Sequence, residues 1–186
     1  MLRHGRTLTW QPTMRFALGL SVHTGWAAAV VAGGDWETPV VAAREHVELL
    51  GEDQRFVFHQ AAEMPAAEAP RWVARAKKQA TERATAVMQR LAAAHGVEAC
   101  AVVAKKGAML PLEDIVAAHP RIHTAEGRFY RDLLREAAEG LGLRVRVIAP
   151  DELDAKDTRL VKVGRVVGKP WSVDWKVAVM GAWQVA

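Results

Sequence analysis

The sequence predicts an α/β domain on a mixed five-stranded sheet, an antiparallel meander followed by parallel strands, with flanking helices. Three observations predict it. Met14 to Val22 and Trp26 to Ala32 are strand-length segments separated only by His23-Thr24-Gly25. From Ala69 to His95 the apolar spacing changes from a strand period to a helical one. Val97 to Ala104 is then a nearly unbroken apolar run with β-branched residues, the pattern of a strand buried on both faces.

Residues 1–13 lack a clear period and read as an N-terminal tail, leaving 14–186 as a single domain. In the first strand Phe16, Leu18, Leu20 and Val22 form one apolar face, while Ala17, Gly19 and Ser21 form a small-residue face suited to close packing. His23-Thr24-Gly25 fits a three-residue hairpin loop whose last position needs a positive φ. Gly33-Gly34-Asp35 and Pro39 bracket the next loop. A third strand follows, with Val41, Ala43, Val47 and Leu49 expected on one face and Arg44, His46 and Glu48 on a wet one.

Gln54 to Met64 reads as a connector with a short helix. The long helix at Ala69–His95 carries a stripe of Val73, Ala76, Ala80, Ala84, Val87 and Leu91, and Gly96 stops it. After the buried strand, a helix is expected from about Ala125 to Leu141, with Thr124 as its cap and Gly142 beyond its end. Leu143 to Ala149 alternates as a strand that Pro150 closes. Leu153 to Lys169 shows no clean period. Ser172 then caps a last helix through Val173, Val177 and Met180.

Composition narrows the function classes. Hydrophobic residues make up 51% and charged residues 25% of 186, so the chain is globular rather than disordered and long enough for a sizeable core. No apolar run reaches bilayer length, since Gly33-Gly34 stops the stretch at Ala27 to Ala32. The N-terminus carries Arg3, His4 and Arg6 without an apolar segment of the secretory type, so a cytoplasmic protein is expected. Cys100, the single cysteine, allows no intramolecular disulfide and reads as a buried structural thiol. A net charge of +4, from 25 basic and 21 acidic groups, permits an anionic partner without demanding one.

Several side chains carry candidate chemistry. His119, His123 and Glu126 combine imidazoles with a carboxylate, a donor set for divalent transition metals. The competing reading is a loop leading into a helix, with Pro120 opposing a continuous helix, Thr124 as cap and Glu126 favoured by the helix dipole. Asp174 is placed to bind a metal or act as a base beside a phosphate-contacting Lys176, or simply to suit the first turn of its helix. Lys105 and Lys106 follow the buried strand, where strand ends often border ligand sites; a solvated strand end is the plainer explanation. Arg71, Arg75 and Lys78 form a basic stripe suited to a nucleic-acid backbone, or a solvated face flanked by Glu68 and Glu82. Trp171 offers a stacking surface for a base, against ordinary packing.

The element order, with Phe16-Ala17-Leu18-Gly19-Leu20-Ser21-Val22-His23-Thr24-Gly25 as first strand and turn, resembles the ribonuclease H-like superfamily, particularly its resolvase-like branch. Val173-Asp174-Trp175-Lys176-Val177-Ala178-Val179 is similar to that branch's final helix. The segments His119-Pro120-Arg121-Ile122-His123-Thr124-Ala125-Glu126-Gly127 and Pro170-Trp171-Ser172-Val173-Asp174-Trp175-Lys176 also resemble bacterial proteins of unassigned activity. The resemblance implies a ribonuclease H-like fold and a nuclease centre using Mg²⁺ or Mn²⁺. Such a centre sets several carboxylates around two cations about 3.5–4 Å apart. Here Ser21 stands where the family has its first aspartate, Lys105 and Lys106 stand near an expected acid, and Asp174 matches directly. The expectation is a nucleic-acid-binding protein, for DNA or RNA, with degenerate or altered metal-dependent nuclease chemistry. Asp174 and Glu126 would form its acidic, metal-binding centre, assisted by His119 or His123. The alternative is a non-enzymatic interaction domain or homo-oligomer, its tryptophans supporting a protein interface.

Overall fold

A computed structural model describes residues 14–34 and 37–186; the expected tail at 1–13, and Asp35 of the expected loop, lie outside them. Five strands form one sheet: β1 (Phe16–His23), β2 (Trp26–Gly34), β3 (Pro39–Glu48), β4 (Ala99–Val103) and β5 (Arg144–Ile148). Their spatial order is β3-β2-β1-β4-β5, with β1–β2 and β2–β3 antiparallel and β1–β4 and β4–β5 parallel. The predicted mixed sheet is the one observed.

Pleat alternation divides the core in two. Leu18, Leu20, Cys100 and Val102 face α1 (Val57–Glu63), α2 (Ala69–His95), α3 (Leu112–Val116) and α4 (His119–Gly140). Ala17, Val30, Ala101 and Val103 face α5 (Arg159–Val167) and α6 (Val173–Trp183). Burial pushes the Cys100 thiol up to about 12, so it is an inert packing group rather than a nucleophile. The α2 boundaries match those expected, and Gly96 ends the helix in the left-handed region at φ 63°.

Four local expectations are corrected. The first hairpin loop has two residues, Thr24 and Gly25, because His23 stays in the ladder opposite Trp26 and stacks on it. In β3 the register shifts where Val31 pairs with Ala43 but Ala32 pairs with Val41. The extra residue sends Val41 to the α6 face while Ala43 and Val47 stay on the other. Third, Arg44 does not lie on a merely wet face. Its guanidinium donates to the carbonyls of Val167, Gly168, Lys169 and Pro170, at 3.0, 3.2, 3.1 and 2.6 Å.

The fourth correction matters most for function. Helix α4 begins at His119, five residues before the expected cap. Pro120 lies in its first turn, where a missing N–H forfeits no helical bond and the fixed φ suits the helix. Thr124 is therefore a helix-interior residue whose Oγ1 donates to the Pro120 carbonyl at 3.1 Å. His119 and His123 consequently lie one helical turn apart on one face.

Candidate functional site

The parallel pair β1–β4 opens its two carboxyl ends on one edge of the sheet. The N-terminus of α6 reaches the same edge because Gly19 lets that helix lie directly on β1. Between them is a cleft of about 630 Å³ whose walls include Ser21, His23, Lys105, Lys106, Arg128 and Asp174. Ligand sites in α/β sheets recur at such strand ends.

Asp174 sits in the first turn of α6, where a carboxylate is favoured by the helix dipole. Ser172 Oγ donates to its Oδ2 at 3.1 Å. Its Oδ1 lies 3.0 Å from His23 Nε2, within ion-pair reach but off the line of a good N–H hydrogen bond, so the buried Nε2 has no aligned partner. The His23 ring stacks on Trp26 with centroids 4.0 Å apart, and Trp26 continues the stack onto His46 at 4.5 Å. The hairpin thus fixes the imidazole that faces Asp174. Ser21 is 5% exposed on β1 and brings a hydroxyl, not a carboxylate, to the cleft wall.

The opposite rim is cationic. Lys105 and Lys106 are exposed just beyond β4. Arg131 anchors that turn by donating to the Lys105 carbonyl at 3.0 Å, while its own charge is balanced by Asp132 at 2.7 Å. Lys106 Nζ meets Glu152 at 2.6 Å, and this bond is the main reason the Glu152 carboxyl titrates below its ordinary range. Arg128 comes from α4 and donates to the Ala108 carbonyl.

The other candidates lie away from this centre. Lys176 is half-buried on α6 and does not line the cleft. The Trp171 indole donates to the Leu160 carbonyl at 3.1 Å and lies hard against Gly164, joining α5 to the start of α6. Arg71, Arg75 and Lys78 are exposed on α2, outside the cleft, with Arg75 over the Trp72 ring and Lys78 at 3.9 Å from Glu82. Glu126 is buried, and burial raises its pKa. Its carboxylate accepts from the amides of Val57, Phe58 and His59 at 3.1, 2.8 and 3.2 Å, satisfying the start of α1. It also lies 3.1 Å from His59 Nδ1. His123 belongs to the cleft wall and, with His119, to a cluster completed by His59. Sequence alone does not mark His59 or His23, because the carboxylates that meet them, Glu126 and Asp174, come from distant helices.

No protein-family model and no curated protein matches this sequence. Solved structures do. RuvC of T. thermophilus in complex with a Holliday junction substrate aligns with a TM-score of 0.51 at 15% identity, covering 90% of both chains. A second Thermus thermophilus RuvC structure gives 0.50 at 14% identity, with 90% of each chain covered. The fold is ribonuclease H-like. The yeast mitochondrial Holliday junction resolvase Ydc2 is also similar, at a TM-score of 0.45 and 12% identity over 94% of this chain and 77% of that one.

The ribonuclease H-like fold raises the matter of a two-metal centre, and the donors lining this cleft fit one poorly. Asp174 is the one carboxylate among the cleft-lining residues described. Two cations need several shared carboxylates, and neither the Ser21 hydroxyl nor the lysines replace them. A single Mg²⁺ or Mn²⁺ makes smaller demands, because it retains water and takes one or two carboxylates together with substrate phosphates. Asp174 fits that role.

Proposed function

We propose that the chain binds nucleic acid across the cleft at the ends of β1 and β4 and acts on its phosphodiester backbone through an altered, single-cation centre at Asp174. The observation that carries this reading is the juxtaposition of Asp174 with the cationic rim of Lys105, Lys106 and Arg128 across one cleft. Cations on one wall suit phosphates, which supply most of the affinity for nucleic acid without reading sequence. The fold's similarity to a RuvC structure holding a Holliday junction substrate makes branched DNA the first ligand to try.

In this reading Asp174 holds one Mg²⁺ or Mn²⁺, which when bound supplies Lewis-acid polarisation of a phosphoryl oxygen. His23, whose Nε2 lies 3.0 Å from Asp174 Oδ1, would keep that carboxylate oriented. Lys105, Lys106 and Arg128 position the phosphates. Arg71, Arg75, Lys78 and Trp171 lie outside this arrangement and are not required for it.

The test is binding and cleavage of fluorescent single-stranded, duplex and four-way DNA, and of an RNA duplex, in Mn²⁺ or in EDTA. Wild type is run beside Asp174→Ala. Salt-sensitive binding with Mn²⁺-dependent cleavage that the substitution abolishes is the expected result. Binding without cleavage would remove the catalytic half of the reading. A stable oligomer with no affinity at low salt would overturn it in favour of a protein-interaction domain.

A further inference from the structure

We propose that His59, His119 and His123 form a binding site for one divalent transition-metal cation of the zinc class, with Glu126 as its positioning carboxylate. The three side chains come from two helices and converge, so that one donor atom from each lies within 4.8 Å of the others. Their rings meet steeply, with centroids 4.4 Å apart for His119 and His123, 4.8 Å for His59 and His123, and 5.4 Å for His59 and His119. Edge-on rings can aim nitrogen lone pairs at one point, as stacked rings cannot.

The nitrogens of His119 and His123 stand close to the spacing of a metal-bound pair. His119 Nε2 and His123 Nε2 lie 2.9 Å apart, where a single shared proton satisfies both. Around a tetrahedral ion with metal–nitrogen bonds of about 2.0–2.1 Å, two nitrogens stand about 3.3 Å apart. Replacing the proton by a cation therefore requires the pair to open by only a few tenths of an ångström. Both residues project from the same face of α4, one turn apart, so a rotamer adjustment suffices.

A second observation points to the same ligand. His59 Nδ1 lies 3.1 Å from Glu126 Oε1, and Glu126 is held rigidly by three backbone amides of α1. With Nδ1–H of His59 donating a hydrogen bond to the carboxylate, Nε2 is the nitrogen whose lone pair is left for a cation. A buried carboxylate fixing the tautomer and orientation of an imidazole is the outer-shell pattern of metal-ligating histidine. Three imidazoles select zinc, cobalt, nickel or copper over Mg²⁺ and Ca²⁺, which prefer oxygen. His119 and His123 are exposed, so the cation keeps water in its remaining position. The site borders the cleft through His123 but does not depend on the nucleic-acid reading, since it stands on the three rings and Glu126 alone.

The experiment uses the full, untagged chain, stripped with a chelator and titrated with Zn²⁺, and with Co²⁺ as a spectroscopic probe. One equivalent should bind, with the visible absorption of four-coordinate Co²⁺. His59→Ala, His119→Ala and His123→Ala should each abolish stoichiometric binding while circular dichroism remains that of the wild type. Glu126→Gln should retain the stoichiometry but weaken affinity by about ten- to a hundredfold. Should that variant fail to fold, His59→Ala still tests the α1 arm with Glu126 intact. His95→Ala, outside the cluster, should bind as the wild type does. No uptake by the stripped wild type, or full uptake by the His119→Ala/His123→Ala double variant, would overturn the proposal. Neither result bears on whether the cleft binds nucleic acid.

Discussion

Gly19 in β1 lies directly beneath Ala178 in α6: a Cβ added to Gly19 would stand 1.9 Å from the Ala178 carbonyl oxygen. No rotamer change relieves a clash with backbone, so helix and strand can be this close only without a side chain between them. Asp174 is one turn before Ala178 on the same helix, and its distance from His23 is set by that contact. Gly19→Ala should therefore destabilise the fold by about 2 kcal/mol or more, the range of an overpacked core. Urea denaturation checks the stability. Loss of nucleic-acid affinity in the fraction that folds would show Asp174 moving with the helix.

Arg44 ties the segment before α6 to the sheet by donating to four successive carbonyls, and it also lies 5.7 Å over the Trp175 ring. Arg44→Ala removes all of these bonds and should cost about 2–3 kcal/mol, as charge-assisted bonds at a partly exposed site do. Arg44→Lys should rescue little, because an ammonium cannot present the planar fork that reaches several oxygens. Hydrogen exchange should quicken at Gly168, Lys169 and Trp171 in both variants while the amides of β4 stay protected.

The sheet was legible because β1 and β5 alternate, β4 is an unbroken apolar run, and Gly25 and Gly96 mark the hairpin and the end of α2 where positive φ is needed. Gly19 and Ser21 announced the small face on which α6 packs. Elements that depend on distant contacts were not legible. Helix α5 contains Val161, Val163, Val166 and Val167, which favour strand locally, yet it folds under Arg44 and Trp171 from other parts of the chain. The start of α4 is hidden in the sequence because Pro120 looks like a helix breaker until its place in the first turn is known. Asp174 and the lysine pair stand where the sequence puts them, at a helix start and a strand end. The third histidine was not legible, because only the bonds of Glu126 to α1 bring His59 to its partners.

Asp157 ties the start of α5 through its bonds to the Arg159 side chain and backbone, which hold its carboxyl at about 2. An unfolded aspartate titrates near about 3.9, so the folded value is the lower one. The stabilisation is then fully present above about pH 5 and is lost as pH falls through 4 towards 2. Asp157→Asn should lower Tm at pH 7, with the gap from wild type narrowing steadily on acidification. A gap that stayed constant from pH 7 to pH 3 would mean that the carboxylate charge contributes nothing at this turn.

The two rim lysines should not contribute equally to phosphate binding. Lys105 is exposed, whereas Lys106 is engaged with Glu152 at 2.6 Å and must exchange that carboxylate for a phosphate. Lys105→Ala should therefore weaken DNA binding more than Lys106→Ala and reduce the magnitude of the log K against log salt slope by about 1, the value for one lost phosphate contact. Glu152→Gln should act in the opposite sense, tightening binding several-fold at low salt by releasing Lys106. Fluorescence anisotropy across a salt series measures all three. Equal losses at the two lysines, or a Glu152→Gln variant that binds no more tightly than wild type, would show that the phosphate track does not cross this rim.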